Sequence, residues 1–117
     1  MVLKDKSLKF AIRIVNLYKY LKTEQKEYIL SKQILRSGTS IGAMVREAEF
    51  GQTLPDFIHK LSIAQKEANE TQYWLELLKE TDFITINQFE SLNTEAIELL
   101  KIITASLKTA KSKLTKH

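Results

Sequence analysis

The side chains in this sequence best suited to catalysis or metal binding are two histidines and one pair of glutamates. His59 lies in a predicted helix and His117 is the last residue, and neither has another ligand at a metal-binding spacing. Glu67 and Glu70 are three residues apart, so a helix would direct both carboxylates toward one side. A di-metal centre in a helical bundle requires repeated Glu-x-x-His motifs, and none is present. We therefore expect a protein without enzymatic activity, catalytic residues, bound metal or cofactor.

Other common chemical sites are also missing from the sequence. There is no cysteine, which excludes a disulfide, a thiol nucleophile and a thiolate metal site. Two of the three glycines lie in a predicted helix that no strand precedes, so they do not form a phosphate-binding loop. No apolar run approaches the roughly 20 residues that cross a bilayer, and the charges from position 4 onward are unlike a signal peptide. The sequence therefore predicts a cytoplasmic protein with neither a membrane nor a small-molecule substrate as a partner.

Charge is distributed unevenly along the chain, although the net charge is only +4. Residues 1–22 carry six lysines and arginines against Asp5 alone, and residues 101–117 carry five lysines and no acid. Residues 56–100 carry nine acids against three lysines. Such segregation predicts a folded surface on which one sign of charge dominates.

The elements that must position these side chains are four amphipathic helices, because apolar residues recur at alternating steps of three and four. Thr53 with Asp56 and Thr85 with Gln88 have the spacing of helix-capping pairs. Short connections between such helices favour antiparallel neighbours. We therefore predict an all-α fold, an antiparallel up-down-up-down four-helix bundle that forms a single domain over residues 1–117. The predicted helices cover about residues 3–21, 25–50, 54–80 and 86–112.

The segment ILRSGTSIGAMV at residues 34–45 is rich in small residues but keeps the helical apolar spacing throughout. Glycine costs a helix about 1 kcal/mol relative to alanine, so Gly38 and Gly42, one turn apart, need a structural reason. Their missing side chains, flanked by Ser37 and Ser40, would let another helix approach closely. A mild kink that the helix tolerates is the alternative interpretation.

Arg36 lies beside these small residues and has a candidate partner on the next helix. A hairpin that turns at residues 51–54 brings Arg36 level with Glu70. We predict a partly buried Arg36–Glu70 ion pair that fixes the register of the two helices, with Ser37 or Ser40 bonding to the remaining polar atoms. Two solvated charges are the alternative.

The antiparallel arrangement also brings the beginning of the first helix and the end of the fourth to one pole of the bundle. Their cations would attract phosphate without sequence specificity, because lysine dominates and no aromatic residue lies among the C-terminal lysines. RNA or DNA is therefore an expected partner, and a solvated surface that aids solubility is the alternative. The predicted nucleic-acid-binding residues are Lys4, Lys6, Lys9, Arg13, Lys108, Lys111, Lys113 and Lys116.

Surplus apolar residues beside the core stripes of the third and fourth helices indicate contacts between subunits. A wide core stripe within one subunit is the alternative explanation. The candidate oligomer-interface residues are Tyr73, Trp74, Leu77, Leu100, Ile102 and Leu107.

Two segments, LSKQILRSGTSIGAMVREA and DFIHKLSIAQKEANETQYWLELL, carry a resemblance to a known family. The first contains the pattern S-x-Q-x-x-R-S-x-x-S-I-x-A, which begins at Ser31 and ends at Ala43. The chain resembles the 23S rRNA-intervening sequence proteins over essentially its whole length, and it is similar to the accessory variability protein of diversity-generating retroelements. The resemblance implies a four-helix bundle that assembles as a ring-like homopentamer without catalytic activity. In the retroelement relative, a basic surface is linked to nucleic-acid binding.

Together these features predict a non-enzymatic, oligomeric bundle that associates non-specifically with nucleic acid through a basic surface. A structural or scaffold module that binds a protein partner, with no role in nucleic-acid binding, is the alternative.

Overall fold

In the computed structural model, which describes residues 2–115, the chain forms four long helices joined by short connections. They are α1 (Val2–Thr23), α2 (Leu30–Glu49), α3 (Leu54–Glu80) and α4 (Ile86–Thr115). Each helix packs against the next, α4 also packs against α1, and no strand occurs among the described residues. The predicted all-α four-helix bundle is therefore confirmed, and it is 53 Å long and 21 Å across.

The caps predicted for α3 and α4 are both present. The hydroxyl of Thr53 accepts the backbone N–H of Asp56 at 3.2 Å. Thr85 and Gln88 cap each other, because each backbone N–H donates to the other side chain, at 2.8 and 3.1 Å. These side chains replace the partners that the first N–H groups of a helix lack, so both helices begin where the sequence indicated.

The beginning of α2 differs from the prediction. The helix starts at Leu30 and not near residue 25, because the φ angle of Lys26 is 55°, a left-handed conformation that a right-handed helix cannot include. The Glu27 carboxylate then accepts the N–H groups of Ile29 (3.1 Å) and Ser31 (2.7 Å). This carboxylate satisfies the first donors of α2 from outside the helix.

The end of α4 also differs, since the helix continues to Thr115 and does not stop near residue 112. Ala110 is buried, so the last turns still pack against the rest of the bundle. Lys113 in the last turn complements the negative end of the helix dipole. Lys116 and His117 lie outside the described residues.

The core is an apolar column to which every helix contributes. Its members recur along each helix at steps of three and four, so the spacing that predicted the helices also selects the side chains that are buried. The largest fully buried apolar side chains are Phe10, Ile14, Leu21, Ile34, Ile41, Leu61, Leu75, Leu78, Leu99 and Ile103.

α2 passes through Gly38 and Gly42 without interruption, and α1 covers both positions. A Cβ atom added at Gly38 would lie 2.7 Å from Cγ1 of Ile14. One added at Gly42 would lie 3.3 Å from the carbonyl oxygen of Ser7. Because a contact of 2.7 Å between carbon atoms is strongly repulsive, a side chain at position 38 would push α1 and α2 apart. The glycines therefore allow these two helices to pack closely.

Candidate functional site

Two of the four cations of α1 that were predicted to form the basic pole pair with carboxylates of α4. Lys6 forms an ion pair with Glu98, and Arg13 forms one with Glu95. Arg13 also donates to the hydroxyl of Ser91 at 2.9 Å. The prediction that Asp5 alone offsets these cations is therefore wrong. The sequence could not show this, because Glu95 and Glu98 approach α1 only through the packing of α4.

The surface between α1 and α4 consequently has a mixed charge. One shallow depression there is bordered by two lysines and three carboxylates, so phosphate would meet more repulsive than attractive groups. Lys4 lies apart from this depression, beside the groove between α1 and α2. The charged residues that border the depression are Asp5, Lys6, Lys9, Glu95 and Glu98.

The end of α4 carries the basic residues that keep a positive surface. Lys108, Lys111 and Lys113 are all exposed, and we call these three residues the α4 lysine cluster. Within residues 2–115, no carboxylate lies within ion-pair distance of any of the three. No acidic residue follows Glu98 in the sequence. The structure thus divides the predicted pole into the α1 cations, of which Lys6 and Arg13 are paired, and this cluster, while Lys116 lies outside the described residues.

A cleft lies between the beginning of α3 and the end of α4, beside Lys113. The same end of α4 extends beyond Val2, the first described residue of α1. Lys6 lies level with Glu98, and from there α4 continues for about 25 Å, whereas α1 continues toward its first residue for only about 6 Å. The cleft has a volume of about 510 Å³, and Phe57 of α3 and Lys113 of α4 both line it. An aromatic side chain therefore accompanies the cluster, which the sequence prediction had not found. The lining residues are Leu54, Phe57, Ala105, Ser106, Thr109, Ala110 and Lys113.

Arg36 occupies a network of charges between α2 and α3. Its guanidinium pairs with Glu70, as the sequence predicted, and also with Glu67 at 3.2 Å. Glu70 additionally accepts the indole N–H of Trp74 at 2.9 Å. Both carboxylates of the Glu67–Glu70 pair are thus held by Arg36.

The serines near Arg36 do not complete this network. The hydroxyl of Ser37 forms a hydrogen bond with the hydroxyl of Thr71 at 3.1 Å, and Ser40 donates to the backbone carbonyl of Arg36 at 2.6 Å. Neither hydroxyl binds the guanidinium, so that part of the prediction is wrong. Each side chain instead bonds to the group nearest to it on its own or the adjacent helix.

The residues predicted to contact other subunits occupy different environments. Tyr73 is 57% exposed and stands edge-on to the half-buried Trp74, with ring centroids 5.0 Å apart. Leu77, Leu100 and Ile102 are half-buried.

Leu107 is the exception among these candidates. It is only 3% exposed and belongs to the core of its own subunit, whereas the neighbouring Ser106 is half-buried. The core stripe at the end of α4 therefore includes Leu107, which the prediction had placed beside it. For this residue the alternative of a wide core stripe is correct, and its assignment to the oligomer interface is wrong.

An exposed apolar surface on α1 was missed by the sequence analysis. Leu8 is 51% exposed and Ile12 is 54% exposed, although both are large apolar residues. Their spacing of four residues, outside the core stripe of α1, was the available signal. Beside them a groove of about 330 Å³ separates α1 from α2, and we call it the α1–α2 groove. It is lined by Lys4, Ser7, Leu8, Ala11, Thr39, Gly42, Ala43, Arg46 and Glu47.

Residues 2–115 contain neither a metal-binding cluster nor a helix suited to a membrane. No group of three histidine, cysteine or acidic side chains in this part of the chain could hold a metal ion. None of the described helices combines the length and the apolar character required to span a bilayer. His59 is exposed on α3, and His117 lies outside the described residues.

The chain is similar to proteins of one family. The sequence profile of the 23S rRNA-intervening sequence proteins matches residues 1–105. A crystal structure from Bacteroides thetaiotaomicron, of a protein with unknown function from the S23 ribosomal protein family, shares 63% sequence identity and has a TM-score of 0.91. That similarity covers 92% of this chain and 96% of the other. No curated protein matches the sequence.

Proposed function

Since this chain belongs to the 23S rRNA-intervening sequence protein family, we propose that it acts without catalysis, as a homo-oligomer that associates non-specifically with RNA or DNA. The contact surface in this proposal is the α4 lysine cluster. The supporting observation is that Lys108, Lys111 and Lys113 are exposed at a helix end where no acid follows Glu98 in the sequence. A homopentamer, which the family resemblance implies, would repeat the cluster in every subunit.

The chemistry of lysine determines what this surface can recognise. A lysine ammonium attracts phosphate as a point charge, and neutralising phosphates releases counterions, so affinity falls steeply as salt is added. Lysine lacks the planar fork with which arginine reads guanine, so base-specific recognition is not expected. Phe57 in the adjacent cleft is half-buried, and its ring could support one unpaired base by stacking. We therefore expect the affinity for single strands to exceed the affinity for duplexes only slightly.

The α1 cations have a smaller role in this proposal than the sequence alone suggested. Lys6 and Arg13 pair with Glu98 and Glu95, so each brings its own counter-charge. Replacing either one should change nucleic-acid affinity less than replacing a member of the α4 lysine cluster. This expected difference in affinity distinguishes binding at the α4 lysine cluster from attraction by the net charge of the whole protein.

The proposal is tested by reversing the charge of the cluster. In a mobility-shift assay at about 50 mM salt, the wild-type protein should retain single-stranded RNA or DNA. A variant with Lys108→Glu, Lys111→Glu and Lys113→Glu should not, because repulsion replaces attraction at the contact. These residues are exposed, so the variant should keep its helical circular dichroism.

A matched control reverses three exposed lysines at the opposite end of the bundle. Lys19→Glu, Lys22→Glu and Lys32→Glu change the net charge by the same amount. This variant should keep most of its nucleic-acid affinity. If the wild-type protein shows no retention at low salt, or if both triple variants lose affinity equally, the α4 lysine cluster is not the binding surface.

A scaffold that binds a protein partner is the second candidate function. It is favoured by large apolar side chains in the connections at both ends of the bundle, since Ile29 and Phe50 are each 74% exposed. If the protein acted only in this way, replacing Lys108, Lys111 and Lys113 would leave its partner binding unchanged. It should also be recovered in a stoichiometric complex with one defined protein from its native host.

A further inference from the structure

The α1–α2 groove has the shape of a receptor for a bulky side chain. The side chains of Ala11, Thr39 and Ala43 in its lining are small, so the groove stays open above the close contact that α1 makes with Gly42. The groove continues into the exposed Leu8, and Ile12 lies one turn further along α1. Such a concave apolar surface is typical of a contact between proteins.

The charge around the groove indicates what can occupy it. Lys4 and Arg46 line its rim, and they pair with no carboxylate among the described residues. The one acid in the lining, Glu47, pairs with Lys60 of α3 at 3.2 Å. Two copies that met groove to groove across a two-fold axis would bring these cations together, which opposes a symmetric pairing of this face.

The outer side of α3 has the complementary properties. Tyr73 projects into solvent there, and it borders a shallow depression together with Glu76, Leu77 and Glu80. We call these four residues the Tyr73 patch. Glu76 pairs with no cation among the described residues, and Glu80 contacts only its neighbour Lys79. The patch thus combines a protruding aromatic ring with two carboxylates.

We propose that the Tyr73 patch of one copy docks into the α1–α2 groove of the next copy. The Tyr73 ring would lie in the groove against the small side chains of Ala11, Thr39 and Ala43, and Glu76 and Glu80 would face Arg46 and Lys4. The inference rests on the oligomeric part of the proposed function and names the surfaces that would form the contact.

The placement of the two surfaces determines the kind of assembly. The groove lies between α1 and α2 whereas the patch lies on α3, so after pairing one copy keeps a free groove and the other keeps a free patch. Such a head-to-tail contact repeats until a ring closes or a filament forms, and it does not stop at a dimer. The side of a bundle 53 Å long and 21 Å across is large enough for the roughly 800 Å² per partner that stable contacts bury.

The test uses two variants, each of which blocks one of the two surfaces. Ala43→Arg fills the groove with a large cation. Tyr73→Arg removes the ring and introduces a positive charge that Lys4 and Arg46 of the next copy would repel. Both positions are exposed and arginine is a good helix former, so each variant should fold. Each alone should be a monomer in light scattering. An equimolar mixture should form one-to-one dimers and nothing larger, because each pair retains one intact groove and one intact patch.

Thr94→Arg, at an exposed position of α4 outside both surfaces, is the matched control and should keep the wild-type mass. A charge exchange provides a second measurement: Arg46→Glu should weaken assembly at low salt, and adding Glu76→Arg should restore it. A wild-type monomer would contradict the oligomeric part of the proposed function itself. If the wild type is oligomeric but both blocking variants keep its mass, or the two monomeric variants do not pair, the docking contact alone is wrong.

Discussion

Gly38 and Gly42 lie one turn apart on α2, but α1 approaches them differently. The atoms nearest to Gly38 are Cγ1 and Cγ2 of Ile14, which branch directly from Cβ and have little rotational freedom in a helix. The atom nearest to Gly42 is the carbonyl oxygen of Ser7, at a distance that a shift of a few tenths of an ångström would relieve. Glycine is therefore more strongly required at position 38.

Gly38→Ala tests this difference at the scale of single residues. Overpacking a core costs about 1–3 kcal/mol, and alanine returns about 1 kcal/mol of helix propensity, so the free energy of unfolding should fall by up to about 2 kcal/mol. Gly42→Ala should change it much less. Denaturant unfolding measures both.

The double variant identifies the contact responsible. In an Ile14→Ala background the atoms nearest to position 38 are gone, so Gly38→Ala should no longer destabilise the protein. A Gly38→Ala protein at least as stable as the Gly42→Ala protein would contradict the closer approach of α1 to position 38.

Arg36 shows how far residue-level prediction extends. The position of the turn between α2 and α3 determines which residues of the two helices lie side by side. Arg36 and Glu70 could therefore be paired from the sequence alone. Glu67 is 11% exposed at its side chain and was missed as a second partner, because its orientation depends on how α3 is rotated toward α2. The guanidinium remains about half exposed, so its contribution to stability is expected to be small.

At the scale of elements, the sequence was sufficient to predict where a helix begins when nearby side chains cap it. The caps at Thr53 and Thr85 act on N–H groups within three residues, and both were predictable. The beginning of α2 was not predictable, because it depends on the left-handed conformation of Lys26. Glycine or asparagine usually occupies such a position, and neither is present there. Leu107 was placed beside the core stripe of α4 and not in it, because Ser106 and Leu107 both fit a helical spacing.

Leu107→Ala tests the corrected stripe of α4. Removing a buried leucine side chain should lower the free energy of unfolding by about 2–5 kcal/mol and leave the oligomer mass unchanged. Ser106→Ala, at the adjacent half-buried position, is the control and should be nearly neutral. A Leu107→Ala protein that loses mass but keeps its stability would instead place this residue between subunits.

At the scale of the whole molecule, the charge pattern depends on the stagger of α1 and α4. Because α4 extends beyond the beginning of α1, Glu95 and Glu98 meet Arg13 and Lys6, while the α4 lysine cluster extends past them. A sequence with separated basic and acidic segments cannot indicate this stagger. The all-α bundle was therefore predictable from spacing alone, whereas the location of its positive surface required the structure.

The mass of the protein in solution, measured by light scattering with and without single-stranded RNA at low salt, tests the account most directly. We expect an oligomer that becomes heavier with RNA, returns to its original mass when salt is added, and does not bind RNA after Lys108, Lys111 and Lys113 are replaced by glutamate. A monomer, or an oligomer whose mass RNA leaves unchanged, would contradict the account.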